Sequence, residues 1–505
     1  VAGPSYWLET LGCAKNSVDS DKLAGLLRHV GYSRAKSVDE ADLVVVNTCA
    51  FIEPAREESV EVVLALAGAK KKGARLVVTG CMAERYGAEL ARALPEVDQV
   101  AGFGVPFWGP GELKGDSPRL GEELGRRGPG GLKGDSPGRE SSVPVRFRRA
   151  QRAGGKGGAE RCDGSPAGLS QRVGPSPAGL PAFDLLNLPR PAVNAPWAYV
   201  KIAEGCDRHC GFCAIPSFRG PQRSRSRDAI VAEVEALGVQ EVVLVAQDPV
   251  SWGRDAGAGP AKVGIAGLVR DVRRLVERVR LLYLYPSGLS DELVEALGET
   301  GCPYFDISLQ HVSKPHLRRM RRYGDAERFL ERVNAIRRRF PDSVVRSSFV
   351  VGYPGETEAD HDLLIEFLES AQLDWAGFFA FSPEEGTYAT ALGGQVRAEL
   401  VGERLRECSE LQDAITATRR AELVGTVCRA LVDKRGEARS HREAPEIDGI
   451  ITVPRELAPG SWVELLITES IGPDLIGVPA SRAGETGLAP LHVPALAGLT
   501  CEAAP

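Results

Sequence analysis

The sequence predicts an α/β protein in three parts: an amino-terminal α/β sheet domain, a central full or partial TIM-type barrel, and a small carboxyl-terminal β-barrel. Three observations carry that prediction. Short apolar runs alternate with helical periodicity over residues 1–103. Strand-then-helix units repeat over residues 191–423, as a parallel barrel requires. From 424 to 486 the pattern changes to short β-prone runs separated by Gly and Pro turns.

The totals limit the function classes. At 505 residues the chain has length for several domains, each with its own core. Its 43% hydrophobic and 26% charged content is that of a globular protein, and no apolar run approaches the length of a membrane span. A net charge of −6 excludes a globally basic nucleic-acid binder. The start, Val1-Ala2-Gly3-Pro4-Ser5, has neither the charged nor the apolar region of a secretory signal. Eleven cysteines in so long a chain read as ligands or reduced thiols rather than a disulfide framework, so a cytoplasmic location is expected.

In the first part, residues 43–47 and 76–79 read as buried parallel strands. Residues 54–72 between them read as a helix, with Val60, Val63, Leu64 and Leu66 at helical spacing. Its acids, Glu57 and Glu58, come early and Lys70, Lys71 and Lys72 come last, which suits the helix dipole. Each strand-like run leads to a cysteine: Cys13, Cys49 and Cys81, spaced 36 and 32 residues apart. Loops after strand carboxyl ends converge on one crevice in an open α/β sheet. From the residues alone, a shared metal site and three unrelated buried thiols are both open.

Residues 104–190 are rich in Gly, Pro, Ser and Arg and contain internal copies, 113–118 at 132–137 and 165–169 at 176–180. So little apolar content does not offset the entropy of ordering, and a disordered insertion is expected, with its Cys162 not a ligand. Its 14 basic residues against 9 acids leave contact with RNA open, although an unconstrained insertion is the favoured reading.

In the central part, strands are expected at 242–245, 281–284, 304–309 and 344–351, and helices around 228–237, 266–279, 290–298, 325–339 and 358–371. The strand-like residues 199–203 precede Gly205-Cys206-Asp207-Arg208-His209-Cys210-Gly211-Phe212-Cys213. Three local thiolates at C-x3-C-x2-C spacing suit a four-iron cluster with one iron open. A structural zinc site wants a fourth ligand, which His209 would have to supply. Buried free cysteines are the plainest alternative. Gln247, Asp248, Asp306, Ser308, Gln310, His311 and Arg346 are polar groups expected at strand ends, and residues 351–358 form a glycine-rich turn. His311 and His316 read as structural or solvent-facing, and Cys302 and Cys408 as ordinary reduced thiols.

The last part has β-prone runs at 427–432, 449–453 and 462–467, followed by an Ala- and Pro-rich tail, 487–505, expected to fray. Residues 424–486 hold seven basic side chains against ten acids. Affinity for nucleic acid rests on Lys and Arg neutralising phosphates, so this balance favours a basic protein partner.

The C-x3-C-x2-C run resembles the signature of the radical S-adenosylmethionine (SAM) enzymes. Ala198-Tyr199-Val200-Lys201-Ile202 and Ile215-Pro216-Ser217-Phe218-Arg219-Gly220 around it are similar to the methylthiotransferases of that group. So are Leu11-Gly12-Cys13-Ala14-Lys15-Asn16, Val46-Asn47-Thr48-Cys49 and Thr79-Gly80-Cys81-Met82-Ala83-Glu84-Arg85-Tyr86. Ala444-Pro445-Glu446-Ile447-Asp448-Gly449, by position, resembles the TRAM domain that closes the family. The likeness covers all but 104–190 and the tail. It implies a partial barrel and two [4Fe-4S] clusters, one on Cys206, Cys210 and Cys213 and an auxiliary one on Cys13, Cys49 and Cys81. It also implies S-adenosyl-L-methionine on the open iron, with Phe212 against the adenine and Gln247, Arg346 and Gly352 in the pocket.

The reaction so implied starts with an electron from a low-potential donor such as a flavodoxin or ferredoxin. SAM cleavage then yields a radical that takes hydrogen from the β-carbon of an aspartate, and a methylthio group is transferred there. Asp207 and the Ser217-Phe218-Arg219 run are similar to the branch that modifies small-subunit ribosomal protein S-twelve. The alternatives are the branch that modifies an adenosine of tRNA, and a non-catalytic iron–sulfur or zinc scaffold held on ribosomes by 104–190. Two departures from the family stand out. Pro249-Val250-Ser251-Trp252 replaces a threonine-rich stretch, and 104–190 is longer than the usual connection.

Overall fold

Five parallel strands build the amino-terminal domain: β1 (Ser5–Thr10), β2 (Ser33–Arg34), β3 (Leu43–Thr48), β4 (Arg75–Gly80) and β5 (Gln99–Val100), ordered β2-β1-β3-β4-β5. The computed structural model describes residues 3–103, 185–188, 190–255 and 264–485. β3 is buried along its full length, which is why it reads as a continuous apolar run instead of an alternating one. The strand order reverses between β1 and β3, the switch point at which the loops of an open α/β sheet part to leave a crevice. Cys13 and Cys49 follow those two strands, and Cys81 follows β4. The helix expected at 54–72 is Glu53–Ala69, entered through Pro54 and left at Lys70.

The central part begins with β6 (Trp197–Lys201) and a small antiparallel pair, β7 (Ala203–Glu204) and β8 (Arg223–Ser224). β6 then pairs in parallel with β9 (Glu241–Val245), and β9 with β10 (Arg278–Leu281). A second parallel sheet holds β11 (Tyr304–Gln310), β12 (Val344–Val351) and β13 (Trp375–Ala380). A parallel bridge between Leu284 and Ile307 joins the sheets, giving six strands in chain order, an open partial barrel. Its interior is closed by Ala14 and Val18 of the Ala14–His29 helix on one side and by Ala444 and Ile447 on another.

Four expectations need correction. The strand expected at 281–284 is β10, three residues earlier, and the helix expected at 266–279 is Ile265–Arg273. Arg278 and Arg280 hid β10 from an apolar reading. Both are buried, because the carbonyls of Arg429, Arg439, Ser440 and His441 and the Glu241 carboxylate receive their guanidinium groups. The expected insertion does not run unbroken to 190: Leu185, Leu186 and Leu188 are buried, and the Lys22 ammonium donates to the Leu186 carbonyl at 2.7 Å. The rest of its sequence to 184, with Cys162, lies outside the described residues, as does the tail. Last, β13 and the long Ala398–Ala421 helix went unanticipated.

The carboxyl-terminal part is a closed barrel of β14 (Val427–Lys434), β15 (Glu437–Arg439), β16 (Ile451–Thr452), β18 (Asp474–Pro479) and β17 (Trp462–Ile471). It docks on the amino-terminal ends of the central strands. Burial alone would raise the Glu241 pKa, but Arg439, Arg280 and Arg278 around it pull it down to about 2. Among the described residues no helix is long and apolar enough to cross a membrane.

Candidate active site

Cys206, Cys210 and Cys213 sit on one loop at the carboxyl end of β7, on the face where barrel chemistry collects. Backbone contacts set the loop's path. The Cys206 N–H donates to the Gly220 carbonyl at 3.1 Å, the Gly211 N–H to the Met320 carbonyl at 2.8 Å, and the Gly211 carbonyl accepts from Ala389 at 2.8 Å. Two glycines are required here. A Cβ on Gly205, at φ +77°, would lie 2.1 Å from the Pro221 carbonyl oxygen, and one on Gly211 2.7 Å from the Tyr353 hydroxyl. Arg322 donates to the Cys210 sulfur at 3.3 Å, and the Arg208 N–H to the Cys206 sulfur at 3.4 Å. Burial pushes the Cys206 thiol up to about 11 and the Cys213 thiol up to about 12. Soft ligation that displaces the proton would resolve that cost, so the donor set fits an iron–sulfur cluster. No fourth thiol is on the loop, and Phe212 packs on the barrel core beside it.

Cys13, Cys49 and Cys81 converge from the carboxyl ends of three strands, Cys81 as the first residue of the Cys81–Ala93 helix. Asn16 knits these ends together. Its amide donates to the Leu11 carbonyl at 2.8 Å and to the Thr48 carbonyl at 3.1 Å, and its side-chain oxygen faces the Cys81 sulfur at 3.7 Å. Gly12 lies so close to Cys49 that an added Cβ would stand 3.0 Å from the sulfur. Burial raises the Cys49 thiol to about 12, with Cys81 and Cys13 adding to the shift, so the three feel one another. Burial opposes ionisation of Cys13 as well, yet Lys15 and Arg219 bring its pKa below the ordinary thiol value. Three thiols sharing one buried crevice, with cations beside it, fit a second metal–sulfur group.

The two thiol loops meet at a buried charge network. Lys201 at the end of β6 reaches Asp19 at 2.7 Å and pairs with Glu204; Arg219 reaches Glu204 at 2.9 and 3.0 Å and Asp19 at 3.5 Å. Two cations and two anions balance, which is the condition for burying them. Arg219 also donates to the Cys81 sulfur at 2.8 Å, and Gln247 donates to Glu204 at 2.8 Å. Sequence reasoning had placed Lys201 and Arg219 only inside motifs and had not singled out Asp19 or Glu204. Charged residues no more than six positions from a cysteine were the available signal.

Gln247 and Gly352 stand just beyond the carboxyl ends of β9 and β12, Gln247 with a buried side-chain oxygen that has no partner among the described residues. Gly352, at φ +82°, donates its N–H to Glu356 at 2.6 Å. Arg346 is not at a strand end: it is the third residue of β12, paired with Asp306 at 3.1 Å and Asp448 at 3.4 Å. Asp248 accepts from Arg208 at 2.6 Å and from Ser251 at 2.7 Å, so Ser251 serves the stretch where the expected threonines are missing. Asp207 accepts the Gln222 N–H at 3.0 Å, and Phe218 packs on the amino-terminal domain, so both act as scaffold.

His311 and His316 are buried, not solvent-facing. With Glu356 they bring donor atoms within 4.8 Å of one another, the geometry of a metal triad. The His311 Nδ1, however, accepts the Ser313 N–H at 3.0 Å. Burial keeps that ring neutral, so its proton is on Nε2 and neither nitrogen is free to ligate. Cys302 and Cys408 are buried free thiols, raised by burial to about 11 and about 12.

Comparison with known proteins follows the same three parts. Residues 5–102 match uncharacterized protein family UPF0004, 200–368 the radical SAM superfamily, and 424–479 the TRAM domain. The chain is similar to the ribosomal protein uS12 methylthiotransferase RimO of Salinispora tropica, 40% identical over 498 residues that cover 94% of each chain. The RimO of Kineococcus radiotolerans is 39% identical, over 95% of this chain and 98% of its own. Among solved structures, the radical SAM methyltransferase TsrM of Kitasatospora setae aligns over 81% of this chain and 89% of that one, at 14% identity and a TM-score of 0.44.

Proposed function

The chain belongs to the RimO family of radical SAM methylthiotransferases, and from that premise we propose that it transfers a methylthio group to the β-carbon of an aspartate in ribosomal protein uS12. The observation that carries the reading is the pair of three-thiol sites in adjoining domains, linked through Arg219, Glu204 and Gln247. Cys206, Cys210 and Cys213 would hold one [4Fe-4S] cluster, with SAM beside Phe212, Gln247 and Gly352. Cys13, Cys49 and Cys81 would hold the other. When bound, these groups supply the one-electron chemistry and the sulfur.

The protein's part is positioning. Arg322 and the Arg208 N–H hold donors against thiolates that burial otherwise disfavours. Arg208 and Arg322 both lie on the Tyr285 ring, at 4.0 and 4.2 Å, and wall one side of the loop. Asp306, the partner of Arg346, is linked to the other site through Tyr283: it receives the Tyr283 N–H, and Lys15, two residues from Cys13, lies over the Tyr283 ring at 3.7 Å. A low-potential flavodoxin or ferredoxin as donor, in the cytoplasm, completes the reading.

A protein substrate is favoured over tRNA by the carboxyl-terminal barrel. Five of its seven basic residues are in ion pairs: Arg429 with Glu277, Lys434 with Glu437, Arg439 with Glu241 and Asp433, Arg442 with Asp342, and Arg482 with Glu456. Cations committed to carboxylates are poorly placed to neutralise phosphates. The test is anaerobic reconstitution with iron, sulfide, SAM and reductant, followed by mass spectrometry of uS12 and of bulk tRNA. One methylthio group on a uS12 aspartate is expected; modified tRNA with unmodified uS12 would overturn the choice.

A further inference from the structure

Arg219 touches more of this machinery than any motif position requires. It is buried, donates to the Cys81 sulfur at 2.8 Å and to the Asn16 side-chain oxygen at 2.9 Å, and grips Glu204 with the other arm at 2.9 and 3.0 Å. Its guanidinium lies 4.3 Å over the Phe103 ring, which fixes its plane. It therefore comes from the helix just past the radical loop (Ile215–Arg219) yet ends on a ligand candidate of the other domain. Only a planar fork places two donors on a sulfur and an amide while two more hold a carboxylate; an ammonium does not.

We propose that Arg219 is a positioning residue that sets the reduction potential of the sulfur site at Cys81, and that Glu204 sets how strongly it does so. The inference rests on the auxiliary-cluster reading above. A cation donating to a ligand sulfur stabilises the more negative, reduced form of a cluster, and hydrogen bonds to sulfur are among the levers that set such potentials. Glu204 competes for the same guanidinium, together with Asp19 at 3.5 Å. Gln247 and Lys201 in turn share Glu204, so a ligand seated at Gln247 has a direct electrostatic route to the second site.

The two arms predict shifts of opposite sign. The full chain carrying Cys206→Ala is reconstituted anaerobically, which leaves the auxiliary site as the source of the paramagnetic signal, and the midpoint is read by redox titration followed by electron paramagnetic resonance. Adding Arg219→Lys lowers the midpoint, with about a tenfold smaller reduced-to-oxidised ratio at fixed potential, 59 mV for a one-electron couple. Adding Glu204→Gln raises it, because the guanidinium is released toward the sulfur. Unshifted midpoints in both variants, with iron retained and melting temperatures lowered, overturn the inference and leave Arg219 a structural residue. A shift of the same sign in both also overturns it. A Cys206→Ala chain that binds no iron overturns the auxiliary-cluster reading itself, which separates the two failures.

Discussion

The two thiol sites differ in how they are put together. Cys206, Cys210 and Cys213 come from one loop of eight residues, shaped by Gly205, Gly211 and a handful of backbone hydrogen bonds. Cys13, Cys49 and Cys81 come from the ends of three strands of one sheet, and they meet only because β1, β3 and β4 are neighbours. The first site is a local object and the second a product of topology. Their surroundings differ accordingly: the loop carries Arg208 itself and takes Arg322 from across the barrel mouth, whereas the crevice has Lys15 at hand and borrows Arg219 from the other domain.

The largest test of the comparison is to remove one thiol from each. Wild-type chain reconstituted under anaerobic conditions should hold about eight irons. Cys206→Ala should fall to about half that and lose SAM cleavage altogether, while Cys49→Ala should keep cleavage and lose methylthio transfer. Iron analysis with chromatography of 5′-deoxyadenosine decides it, and cleavage surviving in Cys206→Ala would break the assignment.

Next in size is the charge network that holds the topological site to the barrel. Lys201→Met leaves Asp19 and Glu204 buried with one cation instead of two, and should cost about 3–5 kcal/mol in denaturant unfolding. The local loop should be cheaper to damage. Gly205→Ala forces a Cβ toward the Pro221 carbonyl at φ +77° and should cost about 1–3 kcal/mol, with iron lost selectively from the radical site. Equal loss of iron from both sites in Gly205→Ala would mean that the sites are not independent. Smallest of all, Lys434→Ala on the carboxyl-terminal barrel removes an exposed pair with Glu437 and should move stability by no more than about 0.5 kcal/mol. Its thermal melt serves as the baseline for the others.

The contrast also explains what could be read in advance. C-x3-C-x2-C carries its meaning in its spacing, so Cys206, Cys210 and Cys213 were legible from the residues. The βα alternation was legible too, because β3, β9 and β12 are short, mostly apolar runs bounded by polar or helical sequence. β10 was not, since Arg278 and Arg280 occupy positions where a buried strand should be apolar, and only the docked barrel supplies carbonyls and Glu241 to receive them. Arg346 reads as a strand-end residue in the sequence, and its register beside Asp306 instead makes it the third residue of β12. His311 and His316 read as structural or solvent-facing, and packing decided for the first by burying both.

By itself, then, the sequence determined the thiol loop, the alternation of strand and helix, and the change to a small barrel, because each is written in contacts between residues close along the chain. The tertiary structure alone decided that Cys13, Cys49 and Cys81 share a crevice, and that Arg219 leaves its own loop to reach Cys81. It also decided that Asp19, Lys201, Glu204 and Arg219 balance one another. Those are contacts between residues up to 200 positions apart, and only the closing of β1, β3 and β4 against the barrel mouth brings them within the few ångströms over which a hydrogen bond acts.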